Sequence, residues 1–276
     1  MVQLPFRLGA CLLACATIAL LASGVRAQST PEIHARLQLV SEAATIPANG
    51  PVWVGVLFRL DEGWHIYWKN PGDSGEPPKI EWQLPAGWTA GAIRWPRPIV
   101  LGRGSIRDYG YEGQVLLMTA LDPKRPVAAP VEIGAAVKYL VCREICIPEK
   151  ANLTLSLPGS NSSNTAVSPW SGLFKETRAQ LPKRLPPDWK VSATDGGGNF
   201  ILTFAGAANA KEMKFFPVGP GVIENAAPQT FTPAEKNSKL TLKKSEQLQK
   251  PVSTLKGVIV LDQDRAYEIA VPVKSS

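Results

Sequence analysis

Short apolar stretches separated by glycine- and proline-rich turns recur from residue 31 to about residue 158, and this pattern favours a β fold. Residues 33–39 alternate apolar and polar side chains, which is the period of a half-buried strand. The nearly continuous apolar run over residues 52–60 predicts a more central strand. With no helical period in this part, the pattern predicts an antiparallel β-sandwich. Further strands are predicted at residues 80–84, 115–121, 131–142 and 151–157.

A polar linker and one helix are predicted to follow this sandwich, within residues 159–187. The linker proper is the polar run at 159–165. Ser168 is a plausible N-cap of the helix, Pro169 suits its first position, and Pro182 ends it. We expect the helix to pack as a spacer between two domains. Strand patterns resume afterwards, so residues 188–276 are predicted to form a second, smaller β-sandwich domain.

The first 27 residues have the three-part layout of a secretory signal peptide. Arg7 precedes an apolar run over residues 8–22, and small residues end the segment at Ala27. The apolar run is shorter than the ~20 residues that span a bilayer, so we expect cleavage after Ala27 and a mature protein that does not span the membrane.

The charge pattern gives no indication of a nucleic-acid partner. The chain has 30 Lys and Arg residues against 23 Asp and Glu residues, and two of the arginines lie in the predicted signal peptide. The remaining basic residues are scattered along the chain and do not form a stripe, so solvated faces explain them.

Two cysteines remain once the signal peptide is removed, and both lie in one short segment. Cys11 and Cys15 leave with the signal peptide, whereas Cys142 and Cys146 stay in the mature chain. Four residues of extended strand span about 13 Å, which exceeds the Cα separation that a disulfide allows. The two sulfurs can therefore bond only if residues 143–145 fold back, and the flanking strands predict a hairpin.

Three functions are compatible with this spacing. A structural disulfide that closes so short a loop stabilises a fold by only about 2 kcal/mol in the chain-entropy model. Two thiolates suit Cu(I), whereas structural zinc would need His34 and His65 as well. An accessible short-loop disulfide also suits reversible redox chemistry, in which Lys138 and Arg143 would favour a thiolate and Glu144 would oppose it.

Tryptophans and one histidine are further candidates for a binding role. Six of the eight tryptophans lie between Trp53 and Trp95, which would suit a carbohydrate-binding platform, although packing of the core and its corners explains them better. His65 is predicted to be a strand histidine with local hydrogen-bond partners. No motif for hydrolase or nucleotide chemistry is present in the sequence.

Three segments together resemble the N-terminal periplasmic domain of the DsbD/ScsB thiol:disulfide interchange proteins. These segments are YLVCREICIPE at 139–149, WHIYWKNPGDSG at 64–75 and DYGYEG at 108–113. The resemblance implies an immunoglobulin-like redox domain over residues 28–158 and a periplasmic location. The three-residue gap between the cysteines is closer to ScsB-like members than to DsbD itself.

The resemblance also implies roles for particular residues and partners. Cys142 and Cys146 would be the redox pair, with Cys146 favoured as the cysteine that forms the mixed disulfide. Asp108, Tyr109 and Tyr111 match the loop that caps the cysteines in the family. Electrons would come from a membrane-embedded thiol reductase of the CcdA/DsbD type and pass to periplasmic thioredoxin-like proteins, with no cofactor.

The sequence thus predicts a periplasmic thiol:disulfide interchange protein, a component of a protein-disulfide reductase system. Two alternatives stay open. One is a periplasmic copper-binding or copper-tolerance protein that uses the thiolates of Cys142 and Cys146 for Cu(I). The other is a non-enzymatic β-sandwich binding module whose disulfide is structural.

Overall fold

The computed structural model describes residues 33–102, 104–159, 167–206 and 210–275. The predicted signal peptide lies outside these residues, as does nearly all of the predicted polar linker. Residues 33–276 form one compact unit. The described residues are mostly strand with one α-helix, which confirms the all-β fold class.

Ten strands form two sheets in the first part of the chain. They are β1 (Ala35–Ser41), β2 (Val52–Leu60), β3 (His65–Gly72), β4 (Lys79–Gln83), β5 (Thr89–Ala90), β6 (Ile99–Leu101), β7 (Asp108–Glu112), β8 (Gln114–Asp122), β9 (Val131–Cys142) and β10 (Cys146–Leu157). One sheet has the order β1-β2-β8-β5, and the other has the order β10-β9-β3-β7-β6, with β4 beside β9. All of these pairings are antiparallel.

The two sheets enclose a common core because their strands alternate inward and outward residues. Val54, Val56 and Phe58 of β2 are fully buried in the same cluster as Ile133 and Val137 of β9. Since β2 lies between β1 and β8 and is apolar on both faces, it is the central strand that the apolar run predicted.

The single α-helix, α1 (Ser171–Gln180), covers the outer face of the β1-β2-β8-β5 sheet. Its Phe174 is fully buried among outward residues of that sheet, which include Leu57 and Met118. The helix is therefore attached to the first part of the chain, whereas the sequence led us to expect a spacer between domains. Arg178 fixes it further through a bidentate ion pair with Glu42.

The start of the helix also differs from the prediction. The N-cap residue is Trp170, and Ser168 lies two residues earlier. The Ser168 hydroxyl accepts the Trp170 N–H at 3.0 Å and donates to the Ser41 carbonyl at 2.5 Å. Because the Ser171 N–H bonds to the Ser168 carbonyl, residues 168–171 form a tight turn rather than the first turn of an α-helix.

The remaining strands form a third sheet with its own core. They are β11 (Lys183–Arg184), β12 (Lys190–Asp195), β13 (Asn199–Ala205), β14 (Met213–Pro217), β15 (Thr230–Thr232), β16 (Asn237–Lys243), β17 (Thr254–Leu261) and β18 (Arg265–Ser275). Their order is β14-β17-β18-β12-β13-β16-β15, with β11 beside β18. Phe200, Phe215 and Leu240 lie in the core of this sheet. The predicted domain boundaries at 158 and 188 stay predictions.

Aromatic packing joins the third sheet to the first part of the chain. Phe216 of β14 belongs to the core cluster of the first part, where its ring centroid lies 5.1 Å from that of Tyr109 and 6.4 Å from that of Trp68. Asn70 of β3 donates to the Pro217 carbonyl at 2.7 Å. The two halves therefore share a buried aromatic contact as well as a buried hydrogen bond.

Candidate functional site

The two cysteines close the tip of the β9–β10 hairpin. Strands β9 and β10 pair along their whole length, and the last pair in the register is Cys142 with Cys146. The three intervening residues turn the chain, with the Arg143 N–H bonded to the Ile145 carbonyl at 3.0 Å. The two Cα atoms lie 4.1 Å apart and the sulfurs are joined in a disulfide. The predicted hairpin is thus confirmed.

The two cysteines differ in their exposure to solvent. Cys142 is only 2% exposed, whereas Cys146 is an exposed residue of the hairpin tip. Ile145, beside Cys146, is 66% exposed and gives the tip an apolar surface. This difference in exposure favours Cys146 over Cys142 as the cysteine that a visiting thiolate meets first.

Tyr67 of β3 covers the disulfide from the outer face of the sheet. Its neighbours Ile66 and Trp68 point into the core, so the alternation of the strand directs Tyr67 outward. The Tyr67 hydroxyl donates to Cys142 Sγ at 3.2 Å and lies 3.4 Å from Cys146 Sγ. The sequence does not single out Tyr67, because this residue reaches the cysteines only through the pairing of β3 with β9, which cannot be read from the sequence.

The loop after β3 holds the Tyr67 ring in place. A Cβ on Gly75 would lie 2.1 Å from Tyr67 Cζ, so only glycine allows the loop to lie this close to the ring. Ser74 donates to the Asp108 carboxylate from both its N–H and its hydroxyl, each at 2.8 Å, which fixes the loop that carries Gly75. Burial raises the pKa of Tyr67, and the Asp108 charge adds to the rise that Ser74 opposes. The phenol therefore stays protonated at neutral pH.

Of the three predicted cap residues, the structure brings Asp108 to the site and places the two tyrosines elsewhere. Asp108 accepts both hydrogen bonds of Ser74 in the loop that packs against the Tyr67 ring, and its charge adds to the rise in the pKa of Tyr67 that burial causes. Tyr109 and Tyr111 alternate with Asp108 along β7 and point into the core, where their hydroxyls donate to Asn225 Oδ1 and to the Pro96 carbonyl, both at 2.8 Å. Residues 108–112 form a strand rather than a loop, so these two rings lie on the face opposite Tyr67.

His65 lies beside Cys142 on the same face as Tyr67. It pairs with Cys142 of β9 on one side and with Glu112 of β7 on the other. Its ring packs edge-on against Tyr67, with centroids 5.3 Å apart. Burial lowers the pKa of His65, and the charges of Asp108 and Glu112 partly oppose this. The predicted local partners are missing for one nitrogen, because Nε2 is buried without a hydrogen-bond partner.

The charged residues near the cysteines occupy fixed positions. Arg143 lies 5.2 Å from the ring centroid of Trp64, which stacks on His34 at 3.7 Å, so a cation–π contact fixes the hairpin tip. Lys138 pairs with Glu81 at 3.1 Å. It precedes Cys142 by four residues on β9, which is ~13 Å along a strand, and it does not contact the sulfurs. Among the described residues, no group of three or more His, Cys, Asp or Glu side chains could hold a metal ion.

Replacing Tyr67 by phenylalanine tests the role of its hydroxyl. Because a hydrogen bond to a charged acceptor contributes about 1.5–3 kcal/mol, losing it should lower the thiolate fraction of the reduced protein. We expect iodoacetamide to alkylate reduced Tyr67→Phe about tenfold more slowly than the unaltered protein at pH 7. Tyr111→Phe, which removes a hydroxyl on the core face, is the matched control and should keep the original rate. Equal rates for the two variants would contradict this role.

Comparison with known proteins gives a match to a family model and a relative in fold. Residues 34–158 match the family model of thiol:disulfide interchange protein DsbD, N-terminal. The N-terminal periplasmic domain of ScsB from Proteus mirabilis aligns with a TM-score of 0.66 at 17% identity, covering 88% of this chain and 96% of that one. At this identity the alignment shows a common fold.

Two further structures align much less well. The periplasmic chaperone SfaE and the tandem Ig repeats of Dlar are each 11% identical to this chain. Their TM-scores are only 0.19 and 0.20, which is too low to indicate a common fold. They cover 86% and 88% of this chain. No curated protein sequence matches the chain. In the described part of the chain, no helix is both long and apolar enough to cross a membrane.

Proposed function

Because residues 34–158 match the family model of the DsbD N-terminal domain, we propose that this protein performs thiol:disulfide interchange in the periplasm through Cys142 and Cys146. The observation that carries the proposal is the asymmetric disulfide at the hairpin tip, in which an exposed cysteine is bonded to a buried one and the Tyr67 hydroxyl lies against both sulfurs. Such a pair can open toward a partner while its second sulfur stays protected.

The proposed exchange proceeds in two steps. In the reduced protein, the Cys146 thiolate attacks a sulfur of the partner's disulfide and forms a mixed disulfide, while the partner's other sulfur leaves as a thiolate. The Cys142 thiolate then attacks Cys146 Sγ, which closes the internal disulfide and releases the second partner sulfur. Two electrons thereby pass from this protein to its partner.

The partners follow from the family and stay proposals. A membrane-embedded thiol reductase of the CcdA/DsbD type would reduce the pair again, and thioredoxin-like proteins of the periplasm would take the electrons. The exposed Ile145 and Cys146 form the surface that both would contact. Export would depend on the predicted signal peptide at residues 1–27.

A redox titration of the purified protein tests the proposed function. Equilibrating the protein in glutathione buffers of graded ratio and counting free thiols gives the midpoint potential of the pair. Thiol:disulfide oxidoreductases lie above about −300 mV, whereas structural disulfides of secreted proteins lie below this value. We expect a midpoint in the upper range, with little change in thermal stability on reduction. A lower midpoint, together with a clear loss of stability, would instead identify a structural disulfide in a binding module.

The copper alternative needs a separate measurement. Two thiolates alone could hold Cu(I), and the described residues offer no larger cluster of ligands. Titrating the reduced protein with Cu(I) against a competing chelator would show a one-to-one complex, lost in Cys142→Ser, if the protein handles copper. We expect the chelator to take all of the Cu(I), so that no copper complex of the protein is detected.

A further inference from the structure

One buried nitrogen beside the disulfide has no hydrogen-bond partner. His65 Nε2 is inaccessible to solvent and unpaired, although buried polar atoms are nearly always hydrogen-bonded. A purely structural histidine would avoid leaving such an atom unpaired, because nothing then compensates for its lost contact with water. Directly opposed residues of an antiparallel pair share a face and have Cβ atoms about 4.5–5.5 Å apart. His65 and Cys142 are such a pair, so the imidazole and the buried cysteine are direct cross-strand neighbours on one face of the sheet, and Nε2 makes no hydrogen bond to the sulfur while the disulfide is closed.

The missing partner would appear when the disulfide opens. Cys142 is bonded to Cys146 in this structure and has no proton to donate, whereas the reduced protein carries a thiol at this position. We propose that His65 Nε2 is the proton acceptor for the Cys142 thiol in the resolving step. This inference rests on the proposed exchange and assigns a residue to its second half. It needs the His65 tautomer that carries its proton on Nδ1, which leaves Nε2 free to accept.

The resolving step needs a base because Cys142 is buried. Burial in apolar surroundings disfavours a thiolate, and this cysteine is only 2% exposed. In the proposed step Cys142 S–H gives its proton to His65 Nε2, and the sulfur attacks Cys146 Sγ. The bond between Cys146 and the partner sulfur breaks, and its electron pair leaves on the partner sulfur as a thiolate. The imidazolium then returns its proton to solvent.

Neighbouring groups on β3 and β7 are less suited to this task. Tyr67 stays protonated and can only donate to the sulfurs. Asp108 already accepts two hydrogen bonds from Ser74. Glu112 is exposed and lies across His65 from Cys142, on the opposite neighbouring strand. Both carboxylates stabilise an imidazolium, so they assist the histidine once it has taken the proton.

The hairpin itself adds two charged groups and the second sulfur. Arg143 lies over the Trp64 ring, and Glu144 is exposed at the tip. Cys146 is the sulfur under attack and cannot serve as the base. The pKa of His65 is lowered by burial, so the imidazole is neutral and able to accept a proton at pH 7.

Reaction of the reduced full chain with dithiobis(nitrobenzoate) measures the step directly. Cys146 releases one coloured thiolate in a bimolecular reaction, and Cys142 then releases a second in a unimolecular reaction. With His65 as base, the second rate should rise with pH only below the histidine pKa and stay level from about pH 6.5 to 8. In His65→Gln the level part should vanish, so that the rate rises about tenfold per pH unit and is at least tenfold slower at pH 7.

Glutamine and the second histidine supply the controls. Glutamine can accept a hydrogen bond but not a proton, so a merely structural role would survive this substitution. His34→Gln makes the same change at the other histidine of the chain, which stacks on Trp64, and should keep the level profile. A level profile in His65→Gln would overturn the inference, as would a tenfold rise per pH unit in the unaltered protein, a measurement that needs no variant.

The same experiment separates this inference from the proposed function. If the unaltered protein shows no unimolecular second release, the pair does not close on itself after attack and the exchange mechanism fails. If the second release occurs but is insensitive to His65, only the role of the histidine fails.

Discussion

Cys142→Ser is expected to stop the exchange at the mixed disulfide. The variant keeps the exposed Cys146, which can still attack a disulfide, but it lacks the sulfur that releases the partner. After reduction and incubation with glutathione disulfide, mass spectrometry should show a stable adduct of one glutathione on Cys146. Repeated turnover should be lost entirely, whereas the unaltered protein should return to its internal disulfide without an adduct.

Cys146→Ser provides the contrast, since it leaves only the buried sulfur. Attack by Cys142 on glutathione disulfide would require local opening of the hairpin, and every 1.4 kcal/mol of opening costs a factor of ten in rate. We expect its adduct to form roughly a hundredfold more slowly than that of Cys142→Ser. Equal rates for the two variants, or a faster reaction at Cys142, would reverse the assignment of the attacking cysteine.

Gly75→Ala is expected to displace Tyr67 and to destabilise the protein substantially. Gly75 has a φ of +77°, which costs other residues about 1–2 kcal/mol. In addition, the new methyl group would lie 2.1 Å from Tyr67 Cζ, and such overpacking typically costs about 1–3 kcal/mol more. Thermal unfolding should show the loss of stability. Alkylation of the reduced variant should slow as it does in Tyr67→Phe, since the displaced hydroxyl no longer reaches the sulfurs.

Gly87→Ala separates backbone strain from the clash with the ring. Gly87 has a φ of +84°, but a Cβ at this position would meet nothing within 4 Å. Its alanine variant should lose only the backbone share of the stability and should keep the alkylation rate of the unaltered protein. If both glycine variants lose the same stability, the loop at Gly75 does not hold the ring.

The strands and the β9–β10 hairpin that carries the cysteines were predictable because their determinants are local. Alternating side chains over β1 and β9 and the turn residues between strands specify the sandwich class. Likewise, the distance along an extended strand is enough to require a hairpin between Cys142 and Cys146. Each of these inferences uses only residues that are close in sequence.

The cover of the disulfide was not predictable because it depends on which strands are neighbours. Tyr67 reaches the sulfurs only because β3 lies beside β9. Tyr67 and Cys142, which are in contact, are 75 residues apart in the sequence. The family resemblance placed Asp108, Tyr109 and Tyr111 in a capping loop, yet these residues and Gly110 belong to a strand. A Cβ there would lie 2.1 Å from the Ile66 carbonyl oxygen, so this glycine permits a close approach of two strands.

The helix shows the same dependence on distant partners. Ser168 has the chemistry of an N-cap, but its hydroxyl is bonded to the Ser41 carbonyl and the Trp170 N–H, and the helix begins later. Similarly, the helix face that was expected between two domains packs on Leu57 and Met118 of the first sheet. Tertiary contacts therefore decided both its start and its location.

The ring of Phe216 contacts both Trp68 and Tyr109, so the first part of the chain is not suited to expression without the third sheet. A fragment cut near residue 158 would uncover both partner rings and would lose the Asn225 amide that bonds Asp73, in the loop that carries Gly75. Aromatic side chains bury about 150–250 Å² each, so the fragment would expose an apolar patch around these rings, and this patch would favour aggregation. A fusion protein that uses the first two sheets should therefore include the third sheet as well, as one unit over residues 33–276.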